Sequence, residues 1–220
     1  MYYRFFSVLS NNFFFRSNKN KYPIFITYDT NFKGNNYVSY NLKKSIVLIG
    51  LMGAGKTSVG SRLSEKLNIP FVDSDIEIEI AAGMTVSEIF FKFGESYFRA
   101  GEERVIERLL KGDPKILATG GGAFVSNKIR GLIKKSSISV WLRADLETLW
   151  SRVQGKNTRP LLQTDNPKSS LAKLINERNS IYSNADIIID SPKNITHSSM
   201  VIRLIKALKK HGVLKHDSEN

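Results

Sequence analysis

Short apolar runs alternate with longer amphipathic stretches along most of the chain. The short runs are rich in β-branched residues, which is typical of buried strands, and the longer stretches repeat their apolar residues at a helical period. The predicted strands lie at residues 45–49, 70–72, 115–119, 138–142 and 186–190. The predicted helices lie at residues 56–67, 86–110, 127–134, 146–153, 169–182 and 196–211. This alternation predicts an α/β domain in which a five-stranded parallel sheet has helices on both faces.

Two parts of the chain depart from this alternation. Residues 1–43 show neither a helical nor a strand period, so we expect a flexible extension before a domain at residues 44–212 and a tail at residues 213–220. The extension could instead be a targeting segment or upstream sequence outside the true coding region, but no small-residue cleavage site follows its apolar runs. The polar, proline-containing stretch QGKNTRPLLQTDNPK at residues 154–168 is expected to be a mobile lid.

Composition narrows the possible functions. The apolar runs fall far short of the roughly 18 residues that a membrane span requires. The sequence has no cysteine, which excludes disulfides and thiolate metal sites and suits a cytoplasmic protein. The net charge of +13 would suit a nucleic-acid-binding protein, but seven basic residues and one acidic residue place +6 of it within residues 1–44. We therefore predict neither a membrane nor a nucleic-acid partner.

A phosphate-binding motif stands between the first predicted strand and the first predicted helix. Residues 50–57 read GLMGAGKT and satisfy G-x-x-x-x-G-K-[ST] in full. In this setting the backbone N–H groups and the helix N-terminus face phosphates, the lysine reaches the β- and γ-phosphates, and the threonine hydroxyl can bind Mg²⁺. The sequence therefore predicts a nucleoside triphosphate bound by Gly53, Ala54, Gly55, Lys56, Thr57 and Ser58.

Two common classes of nucleotide-binding protein fit the rest of the sequence poorly. A GTPase needs a guanine-reading Asn-Lys-x-Asp, and the nearest match, NKIR at residues 127–130, lacks the aspartate. A motor or helicase ATPase usually ends a strand in an acidic pair, whereas the run at residues 138–142 leads into Arg143. The predicted strand that does end in carboxylates is the second, which leads into Asp73 and Asp75.

The two aspartates allow more than one interpretation. If the chain stays extended through Asp75, both side chains point to the same face with α-carbons about 6.6 Å apart. One carboxylate could then serve Mg²⁺ while the other contacts an acceptor hydroxyl, or both could hold one metal ion. Acidic residues also cap helices, and a helix that begins near Ile76 would use them in that way.

Three further features suit a small anionic acceptor. Arg99 stands three residues before Glu102 on a predicted helix, where the acid can orient the guanidinium. Gly120, Gly121 and Gly122 follow the third predicted strand and allow a ligand to approach the backbone closely. A later helix carries Arg178. Each feature alone could be a surface ion pair, a plain loop or a solvated helix face.

Taken together, the motifs resemble those of shikimate kinase. Residues 44–190 carry, in family order, GLMGAGKT, FVDSDIEIE, GESYFRAGEE, TGGGA, NTRPLL and ERNSIY. The resemblance implies a three-layer P-loop NTPase fold with a lid, and transfer of the γ-phosphoryl group of ATP to the 3-hydroxyl of shikimate on the way to chorismate and the aromatic amino acids. It also implies one Mg²⁺ ion. We further expect a monomer, and the lack of a clear cleavage signature in the extension predicts a cytoplasmic location.

The resemblance assigns roles by motif position. Asp75 would orient the acceptor hydroxyl or accept its proton, Asp73 would act on Mg²⁺ through water, and Thr57 would bind the same ion. Lys56 and Arg159 would stabilise charge during transfer, and Arg152 would lie against the adenine. The shikimate carboxylate and ring would be held by Arg99, Arg178, Gly120, Gly121 and Gly122.

Two other functions remain open at this point. A gluconate kinase would share the phosphate loop and the lid arginine, but it has no evident need for two arginines that suit a carboxylate on a ring. A nucleic-acid-binding or regulatory P-loop protein is supported only by the net charge.

Overall fold

The five predicted strands form one parallel sheet. The structure is a computed structural model that describes residues 42–155 and 159–214 of the 220-residue chain. The strands are β1 (Ser45–Ile49), β2 (Phe71–Asp73), β3 (Ile116–Ala118), β4 (Ser137–Arg143) and β5 (Ile187–Asp190). They lie in the order β2-β3-β1-β4-β5, so the strand that feeds the phosphate loop is central. Both neighbours of β1 are parallel to it, and the carboxyl ends of the strands meet at one edge, where open α/β sheets bind ligands.

The described part of the chain has seven α-helices, of which six lie between strands and the last follows β5. They are α1 (Lys56–Leu67), α2 (Ser74–Ala82), α3 (Val86–Lys111), α4 (Asn127–Ser136), α5 (Leu146–Val153), α6 (Pro167–Tyr182) and α7 (His197–Lys210). Helix α2 was not among the helices predicted from the apolar period, but it corresponds to the alternative in which the aspartates cap a helix near Ile76. In the structure this helix begins at Ser74, directly after β2.

Helix α3 is bent at one residue. Gly94 has φ 78° and ψ 175°, a backbone conformation essentially restricted to glycine. A capping box formed by Thr85 and Glu88 fixes the start of the helix. The part before the bend contributes Phe90 to the candidate site, and the part after it carries Arg99.

The core extends to both ends of the predicted domain. Buried apolar residues of the sheet and the flanking helices form one large cluster, which includes Leu42 and Leu214. The packed body therefore begins before residue 44 and continues beyond residue 212. No helix within residues 42–155 or 159–214 is long and apolar enough to cross a bilayer.

The predicted lid is partly regular. Pro160–Leu162 forms a 3₁₀ turn, Leu162 is buried in the main core, and α6 already begins at Pro167. The predicted lid stretch therefore overlaps the first residues of α6. Residues 156–158 lie outside the described part of the chain, and the mobility of the lid stays a prediction.

Candidate active site

Two cavities lie side by side at the carboxyl ends of the strands. The first, of about 550 Å³, is lined by the phosphate loop, and the second, of about 540 Å³, is lined mainly by α2, α3 and the loop after β3. We call them the nucleotide cavity and the acceptor cavity. Their common wall consists of Met52, Thr57, Asp73, Asp75, Gly121 and Arg159. A group that passes from one cavity to the other must cross this wall.

The phosphate loop takes its shape from glycines and a buried lysine. Gly55 has φ 98°, a left-handed conformation in which a side chain would be strained, and it directly precedes α1. The Lys56 ammonium donates to the carbonyl oxygens of Gly50 at 2.7 Å and Leu51 at 3.0 Å. Burial lowers the pKa of Lys56 to about 8, although Asp75 and Asp73 oppose the change. The loop therefore holds a largely desolvated cation at the wall of the nucleotide cavity.

All the residues predicted to bind the nucleotide line the first cavity. Besides residues 53–58, these are Arg152 and Arg159. Arg152 donates to the carbonyl oxygens of Gly53 at 3.2 Å and Pro192 at 3.1 Å, and so ties the phosphate loop to the segment after β5. This arrangement places Arg152 at the cavity wall, and its contact with adenine stays a prediction.

Thr57 and Asp73 meet at the common wall. The Thr57 hydroxyl donates to Asp73 Oδ2 at 2.7 Å, while Asp73 Oδ1 accepts from the backbone N–H of Asp75 at 3.0 Å and caps α2. The interpretation that an aspartate caps a helix here is therefore confirmed. Because Oδ1 of Asp73 makes the cap, Oδ2 stays free to contact Thr57. Hydroxyl and carboxylate oxygens are the ligands that Mg²⁺ prefers, with phosphates and water completing its shell. Thr57 and Asp73 supply two such oxygens, so this donor pair fits an ion whose remaining ligands come from phosphates and water.

Asp75 lies in the first turn of α2 rather than on an extended strand. Of the two alternatives that the sequence left open, the structure shows the helix and not the extended chain, because capping by Asp73 starts the helix at Ser74. Both aspartates nevertheless line both cavities. Asp75 Oδ1 is buried and has no hydrogen-bond partner among the described residues. Burial, followed by the charges of Asp73 and Glu102, raises the pKa of Asp75 to about 7.

Arg99 is clamped between two glutamates. Its guanidinium donates to Glu102 Oε2 at 2.7 Å and, through Nε and Nη2, to Glu95 Oε1 at 3.1 and 2.8 Å. Glu102 is 1% exposed, and its Oε1 has no partner in the described structure. Burial by itself would lower the pKa of Arg99, but Glu102 and then Glu95 raise it above its usual value. Arg99 is therefore a charged donor held in one orientation at the wall of the acceptor cavity.

The glycine loop packs directly against these charged groups. A Cβ atom at Gly120 would lie 2.6 Å from Glu102 Oε1 and 2.7 Å from Asp75 Oδ1, and one at Gly122 would lie 2.4 Å from Arg99 Nη2. Only glycine leaves room for these side chains. Arg178, which is buried, donates from Nη1 to the carbonyl oxygen of Gly121 at 2.9 Å. The acceptor cavity is thus lined by three arginines and four carboxylates, namely Arg99, Arg159, Arg178, Asp73, Asp75, Glu79 and Glu102.

The comparisons with known proteins agree on one family. Residues 52–209 match the family model described as shikimate kinase. The shikimate kinase of Cereibacter sphaeroides is 49% identical over 171 residues, which span 78% of this chain and 85% of that protein. The solved shikimate kinase from Acinetobacter baumannii in complex with shikimate has a TM-score of 0.73 at 38% identity, and the match covers 78% of this chain and 96% of that one. The chain belongs to the shikimate kinase family.

Membership in the shikimate kinase family confirms the resemblance seen in the motifs and the P-loop fold. A gluconokinase from Sinorhizobium meliloti also matches, with a TM-score of 0.52 at 17% identity, over 77% of this chain and 94% of that one. That level of identity shows a shared fold alone. A gluconate kinase would therefore share the fold of this chain, whereas the family model and the relative at 49% identity are shikimate kinases.

Several residues of this shikimate kinase site were not among the predicted ones. Ser191, Lys193 and His197 line the nucleotide cavity, and Phe90 and Phe98 line the acceptor cavity with their rings 4.8 Å apart. Single phenylalanines and serines near the end of a strand give no sequence signal, because the same residues are common in cores and turns. Arg159 was predicted, and its Nε is buried without a partner among the described residues.

Proposed function

We propose that this chain transfers the γ-phosphoryl group of ATP to the 3-hydroxyl of shikimate, giving shikimate 3-phosphate and ADP, in the pathway to chorismate. The chain is a shikimate kinase by family. The observation that carries the proposal is the common wall, where Asp73, Asp75 and Arg159 face both cavities. A phosphoryl donor on one side and an acceptor on the other would meet there.

On the nucleotide side, backbone N–H groups of residues 53–58 would hold the phosphates, and Lys56 would reach the γ-phosphate. In the free enzyme two of the three donors of this ammonium bind loop carbonyl oxygens, which leaves one donor for a phosphate oxygen. Arg152 would contact the adenine from the cavity wall. These cations would neutralise the charge that spreads over the oxygens during transfer.

On the acceptor side, Arg99 and Arg178 would bind the shikimate carboxylate, because planar guanidinium groups match a carboxylate with paired hydrogen bonds. Both guanidinium groups are oriented by protein acceptors, Glu102 and the carbonyl of Gly121, before any ligand arrives. Gly120, Gly121 and Gly122 would let the ring lie against the backbone. Such preorganisation lowers the entropic cost of binding.

Asp75 would receive the 3-hydroxyl. Its unpartnered buried oxygen needs a donor, and a substrate hydroxyl supplies one. A pKa raised to about 7 suits a carboxyl that accepts a proton near neutral pH as the oxygen attacks phosphorus. We propose that Asp75 both orients the hydroxyl and takes its proton.

Mg²⁺ would be held by Thr57 and Asp73 together with the nucleotide phosphates. When bound, this ion would neutralise charge on the phosphate oxygens and help to fix their orientation. Thr57 and Asp73 are already 2.7 Å apart at the wall, so their oxygens can serve one ion or its water ligands.

Arg159 would close the site from the lid side. It lines both cavities and stands directly before the 3₁₀ turn Pro160–Leu162, whose Pro160 and Leu161 also line the acceptor cavity. An arginine in this position can contact the transferring phosphoryl group while its segment excludes water, the competing acceptor. We also propose a monomeric, cytoplasmic enzyme whose kinase domain includes the core residues Leu42 and Leu214 at its two ends, slightly beyond the predicted bounds of 44–212.

A substrate panel tests the proposed function against the gluconate kinase alternative. Folded protein with Mg²⁺ and ATP would be offered shikimate, gluconate and other hydroxy acids in an assay coupled to ADP release. We expect ADP release with shikimate and only background with gluconate. Activity with gluconate alone would establish the rival function, and no shikimate-dependent release would refute the proposal.

Changing Arg99 to Lys tests the role of its guanidinium fork. Lysine keeps the charge but loses the planar paired donors, so we expect the KM for shikimate to rise by about tenfold, the value of one charge-assisted hydrogen bond, with the KM for ATP little changed. Steady-state kinetics with each substrate varied in turn measures both values. An equal rise in both KM values would indicate a structural role for Arg99.

Changing Gly122 to Ala tests the close packing of the glycine loop on Arg99. The new Cβ would lie 2.4 to 2.6 Å from guanidinium atoms, so Arg99 must move, and the KM for shikimate should rise by at least about tenfold. The matched control is Gly131→Ala on α4, where a Cβ meets no described atom within 4 Å and alanine favours the helix. Normal kinetics for both variants would contradict the predicted displacement.

A further inference from the structure

Tyr182 ends helix α6 beneath the glycine loop. Its side chain is 1% exposed, and its ring packs 5.7 Å from that of Trp141 and 6.3 Å from that of Phe124. Its hydroxyl donates a hydrogen bond to the carbonyl oxygen of Gly121. Arg178, one helical turn earlier, donates to the same oxygen from Nη1 at 2.9 Å. Both lone pairs of this carbonyl oxygen are therefore engaged by α6.

Gly121, which accepts these two hydrogen bonds, also packs against the phosphate loop on its other side. A Cβ atom at Gly121 would lie 3.2 Å from the backbone nitrogen of Met52 and 3.6 Å from the carbonyl oxygen of Gly50, so Gly121 is packed between α6 and the phosphate loop. Its neighbours, Gly120 and Gly122, pack against the acceptor-binding side chains described above. A shift of the Gly121 carbonyl would therefore move the wall of the acceptor cavity. It would also move Arg178, which donates to the same carbonyl oxygen.

The chemistry of a buried phenol suits this position. Burial raises the pKa of Tyr182 to about 12, so the hydroxyl keeps its proton throughout the neutral range and donates to the carbonyl without interruption. Tyr182 does not line either of the two cavities. Any influence on a ligand must therefore pass through Gly121 and Arg178.

We propose that Tyr182 is a positioning residue for acceptor binding: its hydroxyl fixes the Gly121 carbonyl, and thereby holds Arg178 and the glycine loop in the orientation that receives the substrate carboxylate and ring. The identity of that substrate rests on the proposed function. Gly121 also packs against the phosphate loop, but that loop has its own contacts, including those of Lys56 and the hydrogen bond from Ala54 N to Leu51 O. We therefore expect loss of the phenol hydroxyl to affect nucleotide binding less than acceptor binding.

The test is the change of Tyr182 to Phe, which keeps the ring packing and removes only the hydroxyl. We expect the KM for shikimate and its dissociation constant by calorimetry to rise about three- to tenfold, the range that loss of one hydrogen bond gives, with the KM for ATP within about twofold. The matched control is Tyr97→Phe. It removes the same hydroxyl from a ring that is 53% exposed and stacked on Phe93, and it should leave both KM values unchanged.

A second variant separates positioning from packing. Because Tyr182 and Arg178 act on the same carbonyl, Arg178→Lys and Tyr182→Phe should be non-additive in shikimate affinity when combined. Unchanged shikimate affinity in Tyr182→Phe, or an equal rise in both KM values with a lowered melting temperature, would overturn the inference. If the wild-type protein lacks shikimate-dependent activity the proposed function itself fails, whereas an active wild type with an unaffected Tyr182→Phe refutes this inference alone.

Discussion

Replacing Asp75 with Asn is expected to lower kcat by a factor on the order of 10² to 10⁴, the usual value of a positioned acid/base group. The amide is nearly isosteric with the carboxylate but cannot take the proton of the acceptor hydroxyl. ATP binding should persist, because the nucleotide is held mainly by the phosphate loop. Steady-state kinetics gives kcat, and calorimetry with ATP gives the affinity. A kcat near the wild-type value would remove Asp75 from the chemistry.

The same substitution should stabilise the free enzyme at alkaline pH. The pKa of Asp75 is raised to about 7 in the folded chain from an ordinary value of 3.8, so its contribution to stability is complete below pH 3.8 and is lost as the pH rises through 7. The melting temperature of Asp75→Asn should therefore exceed that of the wild type by more at pH 8 than at pH 5. Asp113→Asn, at an exposed position away from the site, is the matched control and should show neither effect.

Replacing Lys56 with Met is expected to lower kcat by a factor on the order of 10² to 10³, the cost of removing one preorganised donor from a site of charge development. Methionine fills most of the space of the lysine stem but supplies no cation for the γ-phosphate. The matched control is Lys66→Met on the exposed face of the same helix, which should retain wild-type kinetics. A Lys56→Met enzyme that keeps its kcat and loses only ATP affinity would show that the lysine binds the ground state and the transition state equally well.

The sequence predicted the sheet and most of the site because both depend on local patterns. All five predicted strands are confirmed. Short β-branched runs that alternate with helices usually pair as the parallel sheet of an α/β protein. The phosphate loop combines an unambiguous motif with its required strand and helix. The residues predicted for each ligand do line the corresponding cavity, including Arg178, which is far from Arg99 in sequence.

The parts that the sequence did not predict depend on tertiary contacts. The sequence left open whether the chain after β2 stays extended or forms a helix, and the helix forms because Asp73 caps it and α3 packs on it. The two donors on the Gly121 carbonyl arise only when α6 packs under the glycine loop. Tyr182 does stand four residues after Arg178, a spacing that places both on one helix face, but the same spacing is common among ordinary core residues.

The fate of the γ-phosphoryl group tests the central claim most directly. The full-length protein would be incubated with Mg²⁺, shikimate and ATP labelled in the γ-phosphate, and the products would be separated and identified by mass and ³¹P NMR. The proposed geometry predicts that the label appears in shikimate 3-phosphate, in equal amount to ADP. Label found in inorganic phosphate, or on a different hydroxyl of shikimate, would contradict it.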